Sequence, residues 1–205
     1  MGTAVESNDG HVFAPPGSRR LCVMREERAV VREWKIPKPV VLVDTREQQA
    51  YDLAGLHPNW IGAQRFVTLK TGDYSVEGME SLLALERKSM VDSIQSTMAR
   101  REAFIRSCER LAKFRWKAIL IEATYEEMKS FYRDLGDEFI TVAHPNAVCG
   151  TYDAIEAKFG IPIIYTSRYR HLATERAASW LSKHFTYWWL EQNGHERVLI
   201  DSDRL

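Results

Sequence analysis

The 205-residue chain balances 28 Lys+Arg against 28 Asp+Glu, and its 45% hydrophobic and 11% aromatic content is ordinary for a globular protein. That size predicts one domain with a proper core, while a net charge of zero argues against a nonspecific polyanion binder. With no apolar run long enough to span a bilayer, no secretory layout at the N-terminus, and Cys22, Cys108 and Cys149 outside any zinc or CxxC spacing, the expectation is a cytoplasmic chain without a membrane partner.

Residues 1–35 read as a flexible lead-in, with loose alternation from Leu21 to Trp34 that suits an edge hairpin. Ile36-Pro37-Lys38-Pro39 is a stiff connector into Val40-Val41-Leu42-Val43-Asp44, a β-branched apolar strand that ends in an acid. That carboxylate either forms a turn with its own backbone or stands where a strand end opens into a crevice; the pattern leaves both readings open. Residues 48–62 read as loop, and 65–69 as the next strand.

Gly72-Asp73-Tyr74-Ser75-Val76 and Leu82-Leu83-Ala84-Leu85-Glu86-Arg87-Lys88 flank a turn at 77–80, which predicts an antiparallel hairpin. With the loop centred between Met79 and Glu80, Asp73 falls opposite Glu86, and directly opposed residues have Cβ atoms roughly 5 Å apart. Two carboxylates that close repel unless a cation lies between them. Lys88 shares their face, because strand side chains alternate with period two. One small surface therefore carries two acids and an ammonium, a pattern for a metal site with a lysine beside it. A solvated hairpin is the plainer alternative, but the unbroken apolar run 82–85 marks a strand buried on both faces, where charges are costly without partners.

Ser89 caps the next helix, with Asp92 at the third position in capping-box spacing. Ile94, Met98, Ile105, Cys108 and Ala112 form one apolar stripe, and Arg101 falls inside it, where a buried guanidinium would need an anion. From Arg87 to Lys117 nine Lys/Arg stand against three acids, a basic block next to the carboxylates; from Glu122 to Glu138 six acids stand against two bases. The strand 118–121 ends in Glu122 and follows a long helix, predicting a parallel crossover. A short helix at 125–131, an acidic loop at 134–138, a helix from His144-Pro145-Asn146 to Phe159 stopped by Gly160, and an edge strand at 161–165 come next. His144 and His171 read as structural. The last helix, 172–190, carries Ala177, Trp180, Leu181, Phe185, Trp188 and Trp189, enough aromatic area for a homodimer interface or for core packing.

Taken together, Val43-Asp44-Thr45-Arg46-Glu47, Gly72-Asp73-Tyr74 and Glu86-Arg87-Lys88-Ser89-Met90-Val91-Asp92 resemble the nuclease domain of the XPF-type structure-specific endonucleases. This is a branch of the restriction-endonuclease-like superfamily with the PD-(D/E)xK site, and the similarity in element order extends from Val40 to Tyr187. The resemblance implies an α/β fold, a mixed central sheet flanked by helices, over a nuclease domain at 36–192 with a C-terminal tail at 193–205. It implies Mg²⁺ or Mn²⁺ held by Asp44, Asp73 and Glu86 with Glu47 nearby, Lys88 on the attacking water, Arg87 in support, and Asp92 as a supporting motif residue. Arg46, Arg100 and Arg101 would contact the DNA backbone; Arg100 stands where the family usually has the Gly of a Gly-Arg pair. Nothing after Leu190 matches the helix-hairpin-helix motifs that family members typically add, as in compact prokaryotic or phage versions. The expected activity is metal-dependent hydrolysis of branched DNA; a noncatalytic DNA-binding partner subunit of a nuclease heterodimer is the alternative.

Overall fold

The computed structural model describes residues 19–25, 28–34, 36–130, 132, 135, 141–194 and 198–200. The chain divides into two compact units, one of residues 39–182 and one of residues 1–38 with 183–205. In the smaller unit β1 (Arg19–Arg25) and β2 (Arg28–Trp34) pair antiparallel, and a terminal strand Val198–Ile200, ninth in chain order, adds to the free edge of β1. The hairpin expected between Leu21 and Trp34 is present; residues 1–18 lie outside the described residues.

The larger unit is built on a six-stranded sheet. Its strands are β3 (Val40–Asp44), β4 (Ala63–Val67), β5 (Tyr74–Val76), β6 (Leu83–Ser89), β7 (Trp116–Glu122) and β8 (Ile163–Tyr165). They lie in the order β4-β3-β5-β6-β7-β8. β3 is parallel to β4, β5 is antiparallel to both β3 and β6, and the run β6-β7-β8 is parallel. The sheet is therefore mixed, as expected, and the crossover from β6 to β7 is parallel.

Both faces of this sheet are covered. On one, Ala84, Ile119 and Ile121 join a core with Ile94 of α2 (Met90–Thr97), Phe104, Cys108 and Leu111 of α3 (Arg101–Leu111), and Val148, Cys149 and Tyr152 of α5 (Pro145–Phe159). Strand residues of the other parity, Leu83, Leu85, Ala118 and Leu120, are equally buried. This explains why 82–85 reads as an apolar run rather than an alternation.

Local chemistry sets the helix ends. Asp52 caps a one-turn α1 (Leu53–Leu56) by accepting from the Gly55 amide at 2.9 Å, inside the stretch read as loop. Thr124 and Glu127 form a reciprocal capping box at the start of α4 (Tyr125–Lys129). His144 is the N-cap of α5, with Pro145 in its first turn and Gly160 closing it at φ 60°, so its expected structural role is met. The last helix, α6, spans Arg170–Gln192, and the division between the two units falls inside it. Ala177, Trp180, Leu181 and Phe185 are buried within the single chain, whereas Trp188 and Trp189 are half-buried. Among the described residues no helix is long and apolar enough to cross a membrane. Most of the acidic stretch 134–138 lies outside the described residues.

One expectation is corrected. The single helix read from Ser89 to Ala112 is two: α2 stops at Thr97 and α3 starts at Arg101. Gln95 O then accepts both the Met98 and Arg100 amides, and Met98 turns outward at 43% exposure. The restart shifts the buried stripe of α3 to Phe104, Cys108 and Leu111. Arg101 opens α3 on the surface, donating to Thr151 Oγ1 at 3.0 Å, so it is not the inward-facing arginine that the spacing predicts.

Candidate active site

Three acids line up across the middle of the sheet. Val43 pairs with Tyr74 and Tyr74 with Leu85, so one step further along Asp44 falls opposite Asp73. Asp73 and Glu86 are the next residues beyond the Tyr74–Leu85 pair, close enough for the charge of Glu86 to act on Asp73. The Asp44 amide bonds to Asp73 O at 2.8 Å, continuing the β3–β5 ladder, and the Asp73 amide bonds to Leu85 O at 2.9 Å, which ties Asp73 to β6. Gly72 makes the approach possible: its φ is +78°, and a Cβ there would meet both the Ala84 Cβ and the Leu85 carbonyl at 3.2 Å. Glu86 and Lys88 share the row's face by alternation, and the side chain of Arg87 leaves from the other.

The three carboxylates differ in what surrounds them. Asp44, at 2% exposure, already has both oxygens engaged. Oδ1 accepts from the Arg46 amide at 2.8 Å and Nε at 2.7 Å, and Oδ2 accepts from Arg46 Nη2 and the Leu69 amide, each at 2.8 Å. The Arg46 guanidinium hydrogen-bonded to it holds this carboxyl down at about 2. Asp73 is the opposite case. Burial, then the negative charge of Glu86, pushes its carboxyl up to about 8, with Glu47 adding to the rise and the Arg87 amide and Lys88 opposing it. Among the described residues one hydrogen bond reaches its side chain, from the Arg87 amide to Oδ2 at 2.6 Å.

Lys88 is nearly buried, with Nζ 3.2 Å from Glu86 Oε1 and 4.8 Å from the centre of the Phe104 ring. Arg87, whose side chain is 6% exposed, locks the opposite face. It donates to both oxygens of Glu122, from Nε at 2.9 Å and Nη2 at 2.7 Å, and reaches Glu47 Oε1 and Gln49 Oε1 at 3.4 Å. Burial works against its charge, yet the Glu122 carboxylate more than compensates and raises its pKa. Tyr51 Oη donates to Glu122 Oε1 at 2.6 Å, and the Arg87 and Arg170 guanidinium groups lie 5.4 and 4.9 Å from the centre of its ring. Arg170 Nη1 reaches the same Glu122 oxygen at 3.4 Å, and its Nη2 donates to the Gln49 and Ala50 carbonyls.

Oxygen donors at this density suit a hard divalent cation. The fit is best at Asp73 and Glu86, whose mutual repulsion a cation would relieve, with Glu47 close enough to add to it. Asp44 could join only by giving up contacts to Arg46. Among the described residues no three acidic, His or Cys side chains already stand as a complete ligand set. Of the expected residues, Asp44, Asp73, Glu86 and Lys88 share one sheet face, and Arg46, Glu47 and Arg87 hydrogen-bond into it or beside it. Asp92 is used otherwise: its amide donates to Ser89 Oγ at 3.1 Å and its Oδ2 accepts from that hydroxyl at 2.8 Å. Arg100 and Arg101 are exposed at the α2–α3 turn.

Glu122, Tyr51, Gln49 and Arg170 are the additions that sequence reasoning missed as site residues. Glu122 does give a signal, an acid closing a buried strand as Asp44 does. Tyr51 and Gln49 lie in a stretch with no periodicity, and Arg170 is separated from Glu122 by 48 residues.

A mixed six-stranded sheet with a carboxylate row at its centre and flanking helices is a restriction-endonuclease-like nuclease fold. The family model of the ERCC4 domain matches residues 43–174, and the chain belongs to that family. Among solved structures it is similar to XPF from Aeropyrum pernix, with 17% identity, a TM-score of 0.55, and coverage of 76% of this chain and 70% of that one. The same protein in complex with DNA gives 17% identity and a TM-score of 0.52, over 76% of this chain and 66% of that one. A search of curated proteins returned no match.

Proposed function

We propose that this chain is a Mg²⁺- or Mn²⁺-dependent DNA endonuclease that hydrolyses phosphodiester bonds at branched structures such as flaps or forks. The observation that carries the reading is the row Asp44–Asp73–Glu86 with Lys88 beside it. It sets an underneutralised pair of acids against an almost buried ammonium inside an ERCC4 domain. When bound, the ion would polarise the scissile phosphate and lower the pKa of a coordinated water. Asp73, Glu86 and Glu47 are the residues that would hold it.

The chain's own groups divide the remaining work. Lys88 is kept dry by Phe104 and oriented by Glu86, so its ammonium can stabilise charge that develops on the phosphate or hold the attacking water. Arg87 is a positioning residue, since its amide aims Asp73 while its guanidinium anchors β6 to Glu122 of β7. Arg46, 69% exposed, stands at the mouth of the row where an incoming phosphate can exchange for part of its contact with Asp44. Arg100 and Arg101 would place the backbone further out without reading bases. The catalytic unit in this reading is the 36–192 segment, and DNA in the Aeropyrum complex is the precedent for the class of partner.

The test is cleavage of a panel of labelled flaps, forks, junctions and linear strands by the purified chain, with and without Mn²⁺. Metal-dependent nicking of at least one branched substrate is expected, and its loss in Asp73→Ala and in Lys88→Ala with folding retained. Cleavage by either variant at the wild-type rate refutes the roles assigned; binding without cleavage by the wild type favours the noncatalytic partner.

A further inference from the structure

A groove of about 760 Å³ opens on the same sheet face as the acid row and has no part in the site described. Its floor is apolar, from Leu42 of β3, Val67 of β4, Leu69 and the half-buried Phe114. Its rim is cationic, with Arg65, Lys70, Arg110 and Lys113 against Glu77 and Glu80. Arg65 is neutralised by Glu77 at 2.6 Å, which leaves Lys70, Arg110 and Lys113, all exposed, against Glu80. The groove adjoins the row directly: Leu69, which lines it, donates its amide to Asp44 Oδ2.

We infer that this groove seats a short single-stranded stretch of DNA leaving the acid row, its bases on the Leu42–Val67–Phe114 floor and its phosphates on Lys70, Arg110 and Lys113. The inference rests on the nuclease reading for its choice of ligand. The choice between strand forms rests on the lining. A duplex turns phosphates outward and keeps its bases stacked inside, so an apolar floor gains nothing from it. A single strand exposes base faces that an apolar and aromatic surface can cover while a basic rim follows the backbone. The groove's volume is that of a site for a small ligand, of the order of 300–1,000 Å³, which limits it to a short segment. For a nuclease acting on branches this supplies selectivity, since only a junction delivers an unpaired strand beside the scissile phosphate.

The experiment measures binding of fluorescent oligothymidine, an abasic strand of equal length and a duplex to the full chain in chelator. The proteins compared are the wild type and the double variant Arg110→Gln/Lys113→Gln. The double variant should bind oligothymidine about tenfold more weakly, with a log–log salt slope reduced by about 1.4, and lose no more than twofold on the duplex. The wild type should prefer oligothymidine to the abasic strand. Wild-type binding by the double variant overturns the groove, as does an equal loss on duplex and single strand, an abasic strand bound as tightly as oligothymidine, or no binding by the wild type. Failure of the nuclease reading looks different: selective single-strand binding persists while Mn²⁺ brings no cleavage.

Discussion

Asp73 is the residue on which burial and charge conflict most. Its carboxyl ordinarily titrates at 3.8 and is pushed to about 8 in the folded protein. Between those values the metal-free native state holds a proton that the unfolded chain has released. The contribution of Asp73 to stability therefore falls as pH rises from about 4 to about 8 and levels off above. Asp73→Asn keeps an oxygen for the Arg87 amide and removes the charge. In chelator this variant should melt higher than the wild type at pH 8.5 and together with it at pH 4; coincident melting at both values contradicts the assigned conflict. Asp44 behaves in the reverse sense, because its lowered pKa contributes stability that is present above 3.8 and lost as pH falls through about 2. Asp44→Asn leaves the Leu69 amide and Arg46 with a neutral partner, at a cost of about 1.5–3 kcal/mol by thermal or urea denaturation near neutral pH.

At the scale of elements, the row depends on how β5 leaves its turn and on how β6 is tied to β7. Gly72→Ala forces an L side chain into φ +78° against Ala84 and Leu85, costing about 1–2 kcal/mol. Because the same turn places Asp73, cleavage should fall further than stability alone explains. Glu122→Gln breaks the charge pair that holds Arg87, and loss of one partner of a buried pair costs about 3 kcal/mol or more. Its melting temperature should drop accordingly, and a variant as stable as the wild type would show that the Arg87–Glu122 contact carries little. The register of the hairpin was legible before any coordinates, since a loop centred between Met79 and Glu80 has a single consequence, Asp73 opposite Glu86, and Tyr74 opposite Leu85 agrees with it. The break at Met98 was not legible. Hydrophobic spacing runs unbroken through it, and the turn in which Gln95 O takes both the Met98 and Arg100 amides leaves no periodic trace.

For the molecule as a whole, the antiparallel hairpin and the parallel crossover after it could be read from the chain, while the mixed sheet flanked by helices was implied by the family resemblance. What remained hidden is the partnering that depends on long sequence separations. Arg87 finds Glu122 across 35 residues and Arg46 finds Leu69 across 23, and no local pattern encodes either. Asp44 illustrates the result: its place in the row follows from the strand, but its engagement by Arg46 and the Leu69 amide follows from the fold. The central claim is that Asp73 and Glu86, supported by Glu47, form a seat for one divalent cation. Titration of Mn²⁺ into the metal-free chain, followed by calorimetry or by the loss of the free-ion spin-resonance signal, tests it most directly. Saturable binding near one ion per chain is predicted for the wild type at pH 8, weakened at least tenfold in both Asp73→Asn and Glu86→Gln. Binding that is absent from the wild type, or that survives unchanged in both variants, contradicts it.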